Sequence, residues 1–362
     1  MGRTPSRKNL SYWHDGNHDW VSIADLGSFG KYVGSTKERI NNLAIAETGI
    51  KPAPANTVLM SFKLSLGKTA ITTAPVYTNE AIMAFVDKGV YPVDSSFMYH
   101  QCRAKDWTAN TNTAVMGKTL NKKTLSQQMI VLPGLKEQKA IARQLDFVEC
   151  QLDNANEQLS HLDTLVKSQF VEMFERGQRW ELRALAECCT TPDDIKCGPF
   201  GSQLHKEDYI SEGVPVWGIP EVNANFRRMP DKYVSLENGQ RLQSYSLAPG
   251  DVAMNRKGNV GQAALFDGKK PSGIIHSDVL RVRVDQDVLS PAFLVEQFHS
   301  SHVVREQIVF ASTGAIMAGT NVTKLKKIKV FVPPLALQQE FADFVVQVDK
   351  SRFVACFGWG VG

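Results

Sequence analysis

The apolar residues of this chain follow two different periods. Between Leu135 and Phe174 they recur alternately every four and every three residues, at Ile141, Leu145, Val148, Leu152, Ala155, Leu159, Leu162 and Val166. That alternation is typical of the seam of a coiled coil. The stretch contains neither proline nor glycine, so it predicts one continuous helix of about 60 Å.

The remainder of the chain shows shorter runs. Stretches of β-favouring residues are broken by Gly, Asn and Pro, as strands separated by turns require. They include residues 20–23, 57–60, 214–217, 251–254 and 280–284. These runs predict α+β bodies with strand-rich cores on either side of the helix.

The chain also repeats itself. Residues 57–71 align with residues 251–265 through five identities, Val58/Val252, Met60/Met254, Lys63/Lys257, Gly67/Gly261 and Ala70/Ala264. Residues 121–148 align with residues 321–348 through seven more, among them Pro133/Pro333 and Gln138/Gln338. Because both windows keep their order and nearly their spacing, they predict a tandem duplication of residues 1–176 and 177–362.

Each half is therefore a variable body followed by a shared closing helix. The second helix repeats the seam as Phe341, Val345 and Val348 and loses it at Arg352. We predict a first body at 1–134, a helix at 135–176, a second body at 177–334, a shortened helix at 335–352 and an atypical tail at 353–362. The predicted helix interface comprises Ile141, Leu145, Val148, Leu152, Leu159, Leu162, Phe341, Val345 and Val348.

Charge is distributed unevenly between the bodies and the helix. The 362 residues include 41 Lys and Arg against 37 Asp and Glu, a net charge of +4. Residues 136–176 contain five basic and eight acidic side chains, net −3, so the remainder carries +7. Basic bodies on an acidic rod favour a polyanionic ligand, and such a rod could span sites about 34 Å apart, one turn of a DNA duplex.

Candidate DNA contacts are the Lys, Arg, Ser and Asn residues of the loops, which suit phosphates and base edges. The aligned pair Lys63/Lys257 is the strongest candidate, whereas any single basic cluster is more often a solvated surface. The candidates are Arg3, Ser6, Arg7, Lys31, Lys37, Ser61 and Lys63 in the first body, and Ser202, Arg227, Arg228, Asn255, Arg256 and Lys257 in the second.

Other chemistry is weakly indicated. The six cysteines include no Cys-x-x-Cys, and no histidine lies at zinc-ligand spacing, so we expect neither a metal site nor a disulfide framework. His276-Ser277-Asp278 contains the residue types of a hydrolase triad, but neighbours on a strand point to opposite faces. The chain also has no apolar run of membrane-spanning length and no secretory signal, so we expect a cytoplasmic protein without a membrane partner.

Several motifs carry a family resemblance. Arg3-Thr-Pro-Ser-Arg, Tyr12-Trp13, residues 20–25 and residues 78–82 are similar to the opening of one recognition domain. Residues 197–204 and Gly250-Asp-Val are similar to a second. Residues 132–142 and 332–342 resemble a Pro-Pro-Leu-x-Glu-Gln-x-x-Ile-Ala signature that precedes a helix. Because these motifs occur in this order, the chain resembles a specificity subunit of a type I restriction–modification enzyme over nearly its whole length.

The resemblance implies a non-catalytic subunit that binds double-stranded DNA. In that family, each recognition domain reads one half of a split target, and an antiparallel coiled coil of the two helices sets the spacer and docks two methyltransferase subunits. Those subunits use S-adenosylmethionine, and the motor-nuclease restriction subunits use ATP and Mg²⁺, so no cofactor is expected on this chain. The sequence contains no adenine-methyltransferase motif, phosphate-binding loop or dinucleotide fingerprint.

Two departures modify this expectation. The run Trp180-Glu-Leu-Arg-Ala-Leu185 looks like the opening strand of a recognition domain, yet its counterpart in the first half would precede Met1. The tail from Phe353 to Gly362 lacks a helical pattern. Seam residues from Leu152 onward would then lack a partner within the chain, which predicts self-association. The alternatives are a coiled-coil scaffold that does not read DNA and, third, a catalytic domain with an unrecognised motif.

Overall fold

The computed structural model describes residues 1–63, 65–107, 112–114, 117–120, 122–177, 180–312 and 319–357, without the side chains of 112–119, 122 and 353–357. The chain divides into two compact units, Met1–Asp153 and Asn154–Gly362. The division lies within the predicted helix, so this helix contributes residues to both units. Asn121, at the start of the second repeat window, and the last residues of the tail, 358–362, lie outside the described residues.

The first unit consists of small sheets and the helices packed on them. Two three-stranded sheets have the orders β2-β1-β5 and β4-β3-β6, and β7 and β8 form a hairpin. The elements are β1 His18–Val21, α1 Ile23–Ser28, β2 Glu38–Ile40, α2 Asn42–Thr48, β3 Val58–Ser61, β4 Thr69–Ile71, β5 Tyr77–Thr78, β6 Ile82–Phe85, α3 Ser95–Ala104, β7 Asn112–Ala114, β8 Gly117–Thr119, α4 Lys122–Ser126 and α5 Leu135–Phe170.

The second unit repeats this plan and adds strands to it. Its sheets have the orders β12-β11-β15, β10-β16-β13-β14 and β17-β9. The elements are β9 Leu182–Ala184, β10 Ile195–Cys197, β11 Val214–Trp217, α6 Ile219–Asn223, β12 Tyr233–Val234, α7 Leu236–Arg241, β13 Val252–Asn255, β14 Ala263–Leu265, β15 Ile274–Ile275, β16 Val279–Val282, α8 Pro291–Ser300, α9 His302–Ser312, α10 Val322–Lys326, β17 Lys329–Phe331 and α11 Leu335–Phe357.

Strand pairing establishes the duplication in three dimensions. β1 pairs antiparallel with β2 and parallel with β5, and β11 pairs in the same senses with β12 and β15. β3 lies between β4 and β6 as β13 lies between β14 and β16, and the aligned Met60 and Met254 hold equivalent positions. The predicted α+β class and the tandem repeat are confirmed.

A buried glutamine fixes the start of each closing helix. Gln138 Oε1 accepts the backbone N–H of Asp94, the N-cap of α3, and its Nε2 donates to the carbonyls of Pro92 and Pro133. Gln338 makes the same three bonds, to Ser290, Val288 and Pro333, where Ser290 is the N-cap of α8. Each glutamine therefore joins the body to the helix that follows it.

The long helix is continuous, as the absence of Pro and Gly predicts. α5 runs from Leu135 to Phe170 and continues into a π-helical turn at Val171–Glu175. In the second unit, α11 packs antiparallel on its C-terminal part. The Phe170 and Phe341 rings lie 5.4 Å apart, and Arg352 Nη2 lies 2.6 Å from Asp163 Oδ1.

The predicted helix interface is buried in the second unit but largely exposed in the first. Phe341, Val345 and Val348 are buried with Val166, and Leu162 packs against this cluster. In the first unit, by contrast, Leu145, Val148 and Leu152 are 40%, 52% and 59% exposed.

The reason is that the first unit covers a neighbouring face of α5. Gln138 and Ala142 are buried there, and Asp146 and Glu149 bond to side chains of α3. The prediction that the apolar side chains from Leu152 onward lack a partner is therefore wrong for Leu162 and Val166. Since α11 runs antiparallel to α5 and starts beside its C-terminal end, α11 covers the C-terminal part of the seam.

The second closing helix is longer than its seam indicates. α11 continues to Phe357, five residues beyond the predicted end at Arg352. The residues from Phe353 to Phe357 contain no helix breaker, and the first glycine of the tail is Gly358. Loss of the heptad pattern at Arg352 therefore did not mark the end of the helix.

Candidate nucleic-acid interface

Two predicted DNA contacts lie inside the protein. Ser61 and Asn255 occupy equivalent positions at the ends of β3 and β13, and both are fully buried. Ser61 Oγ donates to the Ser65 carbonyl and accepts the N–H of Lys68, which closes the turn between β3 and β4. Asn255 Nδ2 donates to Asn223 Oδ1 over 2.8 Å. In this conformation both side chains shape the loops and do not reach the surface.

Two predicted cations are engaged within the fold. Lys31 is largely buried and forms an ion pair with Asp146 of α5. Arg256 Nη1 donates to the Ser277 carbonyl over 3.1 Å and to Cys197 Sγ, and its Nε donates to the Thr320 carbonyl. These bonds indicate a structural role for both residues.

The remaining candidates are at the surface. Lys63 and Lys257 follow β3 and β13, so the structure places the aligned lysines in equivalent turns as predicted. The turn after Lys257 is a hairpin in which Gly258 and Gly261 have φ of 66° and 91°, where a glycine is favoured. Lys257 Nζ lies 2.7 Å from Asp278 Oδ1. The exposed candidates with Lys257 are Arg3, Ser6, Arg7, Lys37, Ser202, Arg227 and Arg228.

In the second unit, two of these cations flank one hollow. It has a volume of about 250 Å³ and is lined by Gly218, Glu221, Arg228, Lys232, His276 and Asp278, among others. Arg228 donates to Glu221 Oε1 through Nε at 3.0 Å and Nη2 at 2.8 Å. Lys257 reaches the hollow through its ion pair with Asp278. Fixed acidic partners therefore orient both basic side chains.

An aromatic pair stands beside the hollow. The Tyr209 and His276 rings stack with centroids 6.3 Å apart, and Lys232 Nζ lies 5.1 Å from the Tyr209 ring centroid. Burial lowers the pKa of His276, against the opposing effect of Asp278, so the imidazole is neutral near pH 7. Its Nδ1 accepts the backbone N–H of Asp278 over 3.2 Å, which leaves the proton on Nε2.

The first unit carries a cation on the aromatic ring that matches Tyr209. Trp13 and Tyr209 each follow a short 3-10 turn at the offset of Gly2 and Gly198, and the Arg7 guanidinium lies 4.0 Å from the Trp13 ring centroid. Arg7 also donates to Glu38 Oε2 over 2.8 Å, and this bond raises the pKa of Arg7. Trp20 and Trp217 are buried in their cores and are not available to stack on bases.

A glycine anchors the loop that carries these residues. Gly2 N–H donates to the Ile82 carbonyl over 3.1 Å, and Gly198 N–H donates to the Val279 carbonyl over 3.2 Å. A Cβ on Gly2 would lie 2.1 Å from the Thr78 carbonyl oxygen, and one on Gly198 would lie 2.3 Å from that of His276. The close backbone contact therefore requires glycine in both units, and it places the following loops with Ser6 and Ser202.

Sequence reasoning missed Lys232, Tyr209 and His276 as members of this site. The alignment of Trp13 with Tyr209 was the available signal, and it becomes visible once Gly2 is matched to Gly198. The sequence indicated the loop of Arg227 and Arg228 only through its two neighbouring positive charges. Its geometry depends on Asn225 and Phe226, which adopt left-handed backbone conformations with φ of 48° and 53°; the Phe226 ring is buried against Trp217.

Hydrolytic and metal chemistry have little support at the described positions. His276 and Asp278 share one face, while the Ser277 carbonyl accepts Arg256. His100, Asp146 and Glu149 bring ligand atoms within 4.8 Å of one another, but Lys31 and Arg103 already neutralise the two carboxylates. Burial raises the pKa of Cys102 to about 12 and of Cys188 to about 11, so these thiols are protonated near neutral pH.

In the described part of the chain, no helix is long and apolar enough to cross a membrane.

Curated relatives are similar over part of their length. The chain is 26% identical over 177 residues to the type I restriction enzyme MjaIX specificity subunit of Methanocaldococcus jannaschii, covering 48% of this chain and 40% of the relative. It is 24% identical over 176 residues to the EcoR124I/EcoR124II specificity subunit of Escherichia coli, covering 47% and 43%. The aligned region thus spans less than half the length of these relatives.

Solved structures share the fold over almost the whole chain. A chain from a structure on complex assembly and conformational transition of the type I restriction–modification system matches with a TM-score of 0.56 at 16% identity, covering 98% of this chain and 88% of that one. The type I S subunit from M. genitalium matches with a TM-score of 0.53 at 12% identity, covering 98% and 87%.

A family profile covers both halves of the duplication. The type I restriction modification DNA specificity domain matches residues 1–162 and again residues 178–353. The two matches follow the internal repeat and together include most of the chain. The chain therefore belongs to the type I restriction–modification DNA specificity family.

Proposed function

We propose that this chain is the DNA specificity subunit of a type I restriction–modification complex, in which each domain reads one half of a bipartite duplex target. The observation that carries the proposal is a cation on a matching aromatic ring in each of the two duplicated domains, Arg7 on Trp13 and Lys232 on Tyr209. The two cations come from different segments of their domains. Such pairs offer both charge for phosphates and a flat surface for bases.

Within each domain the candidate residues divide by their environment. Arg227 and Lys37 are exposed on loops and suit phosphate contacts, which carry affinity without base preference. Lys257, exposed beside its partner Asp278, suits a phosphate contact as well. Arg228 is held by the buried carboxylate of Glu221. A guanidinium fixed in this way can present its remaining N–H donors to base edges in one orientation.

The helices are the proposed docking elements for partner proteins. Leu145, Val148 and Leu152 expose an apolar stripe on α5, as a helix that receives another helix does. Two methyltransferase subunits would dock on these helices and adjoining surfaces and methylate adenine with S-adenosylmethionine. Restriction subunits would use ATP and Mg²⁺. In this division of labour, this chain supplies recognition and no catalytic group.

Salt-dependent binding to random and selected duplexes tests the proposal. The chain and its methyltransferase partner are mixed with a duplex library, and bound sequences are recovered and compared. We expect enrichment of two short motifs at a fixed separation and a steep loss of affinity as salt rises, because phosphate contacts release counterions. Assembly with the methyltransferase but equal affinity for all duplexes would favour the coiled-coil scaffold instead.

A further inference from the structure

A second hollow of the second unit is lined by the β13–β14 hairpin and by helices α5, α8, α9 and α11. Its volume is about 500 Å³, and pockets that hold small organic ligands measure about 300–1,000 Å³. All of its lining residues belong to the second unit. It shares no lining residue with the hollow beside His276, so it is a separate site.

Three basic side chains from three helices line this hollow. Lys167 lies on α5, Arg305 on α9 and Arg352 on α11. Burial lowers the pKa of His299, against the hydrogen bond from Ala263, and the positive charges of the three cations lower it further. All three cations therefore act on one point of the wall, and such a convergence favours an anionic ligand.

The protein leaves part of this charge without a partner. Lys167 and Arg305 are exposed, and neither side chain forms an ion pair or a hydrogen bond with the described residues. Arg352 donates to Asp163 over 2.6 Å and to Asp349 over 2.8 Å. Its Nε is buried and has no hydrogen-bond partner in the described part of the chain. Because a buried donor without a partner is costly, the hollow offers a ligand two cations and one inner N–H.

The two carboxyl groups of the hollow oppose an anion only weakly. Asp163 is neutralised by its ion pair with Arg352. Burial raises the pKa of Glu296 to about 7, and the carboxylates of Asp349 and Asp163 act in the same direction. Arg352 and the Ser300 hydroxyl act against them. Near neutral pH a large share of Glu296 is therefore protonated, and a protonated carboxyl donates a hydrogen bond.

The remaining walls suit an organic group. Phe298 and Ile308 line the hollow and are buried, so they form an apolar floor. Asn225, Asn259 and Gln262 line it as well, and their amides can both donate and accept hydrogen bonds. A site with an apolar floor and a few polar groups is typical of small-molecule binding.

The first unit uses the equivalent helix face differently. By the repeat, α3 matches α8, which places His100 at the position of Glu296 and Arg103 at that of His299. His100 Nε2 lies 2.7 Å from Asp146 Oδ1, and Arg103 pairs with Glu149. In the second unit, Glu296 and His299 form no ion pair with the described residues. The charges are thus satisfied within the first unit and remain available in the second.

We propose that this hollow binds a small organic phosphate monoester of mononucleotide size, with Lys167 and Arg305 on the phosphate and Arg352 as the inner donor. Two unpaired cations match the charge of about −2 on a monoester, whereas a phosphate within a nucleic acid strand carries one charge. Phosphate oxygens also accept the several charge-assisted hydrogen bonds that these side chains offer. The organic part lies on the apolar floor, within reach of the amides.

Isothermal titration calorimetry of the full chain with adenosine 5′-monophosphate (AMP) tests the proposal. We expect saturable binding at one site, and no binding of adenosine, which lacks the phosphate. The double variant Lys167→Gln/Arg305→Gln should weaken AMP binding by about tenfold or more, because both unpaired charges are lost. Both side chains are exposed, so the fold should persist, and circular dichroism checks it. Lys350→Gln, exposed on α11 and outside the hollow, should leave the affinity unchanged.

The pH dependence and a DNA competitor complete the test. Wild-type affinity for AMP should fall between pH 7 and 8.5, as Glu296 ionises, and Glu296→Gln should remove this loss. A duplex without terminal phosphates should not displace AMP. Because DNA takes no part in the direct titration, its result is independent of the proposed function. Absence of AMP binding, equal affinities for wild type and the double variant, or displacement of AMP by the duplex would overturn the proposal.

Discussion

At the residue scale, the environment of each basic side chain decides its role more than its presence in a cluster does. Charge counting selected Lys31, Arg256 and Lys257 alike, yet the first two are engaged inside the fold and Lys257 is exposed. Burial depends on contacts between distant segments, such as that of Lys31 with Asp146. A single sequence without an alignment does not reveal those contacts.

Replacing Lys257 by alanine should weaken DNA binding for all sequences alike. The lysine is exposed and its partner Asp278 is only partly buried, so the loss of one phosphate contact is the main effect. The slope of log affinity against log salt should fall by about one. Lys269→Ala is the matched control, since Lys269 also pairs with a nearby aspartate, Asp267. Equal affinities for wild type and Lys257→Ala would exclude this loop.

Stability at acid pH should depend on His299. Its Nε2 accepts the N–H of Ala263, and burial lowers the pKa of His299 to about 4. The folded state thus disfavours protonation, so this contribution is complete above the unfolded pKa of about 6.5 and is lost as pH falls toward 4. Relative to His299→Gln, we expect the wild type to lose about 3 kcal/mol over this range in urea titrations.

The neighbouring Glu296 should show the opposite dependence. Burial raises the pKa of Glu296 to about 7, so its stabilising contribution is complete below the unfolded pKa of about 4.3 and is lost as pH rises toward 7. Glu296→Gln should therefore stabilise the protein most at neutral pH. For the preceding prediction, wild type and His299→Gln with parallel pH profiles of the unfolding free energy would contradict the assignment to His299.

At the element scale, periodicity predicted the helices better than their partners. The long helix and the shared closing segments follow from the lack of Pro and Gly and from the repeat. The seam, however, is covered only where α11 packs on α5, because the first body packs on Gln138, Ala142 and Asp146 instead. A heptad pattern identifies an apolar stripe but does not identify what covers it.

Replacing a buried glutamine, Gln138 or Gln338, should destabilise the protein more than replacing an exposed polar residue does. Gln338→Ala removes three hydrogen bonds and leaves the Ser290 N–H and the Val288 and Pro333 carbonyls without this partner. We expect a loss of about 2–4 kcal/mol in the free energy of unfolding, measured in urea. Gln339→Ala, at an exposed neighbouring position that bonds only locally to Asp343, should cost less than about 0.5 kcal/mol. A similar loss of unfolding free energy in both variants would show that the hydrogen bonds of Gln338 between the body and α11 are not stabilising.

The exposed stripe of α5 should drive association. Replacing Leu145, Val148 and Leu152 together by glutamine should convert a concentration-dependent oligomer to a monomer in sedimentation velocity, because it removes the apolar surface available to a second helix. Phe147→Gln, also exposed but off the seam, is the matched control. A wild type that is monomeric at micromolar concentration would contradict the predicted self-association.

At the scale of the whole molecule, duplication was the most informative feature of the sequence. It predicted two similar domains, the position of each closing helix and the equivalence of Lys63 and Lys257. The repeat also placed the counterpart of the run that contains β9 before Met1, but it did not predict β10, which has no described counterpart in the first unit. It also did not predict the hollow beside His276, whose walls come from segments far apart along the chain.

Sequencing of methylated adenines in a cell that carries this chain with its methyltransferase tests the central claim most directly. If each domain reads one half-site, methylation should fall on a motif of two defined parts separated by a fixed number of unspecified bases. Arg228→Ala should relax only the part read by the second domain, and Arg7→Ala only the other part. A single undivided motif, or methylation without a consensus, would contradict the account.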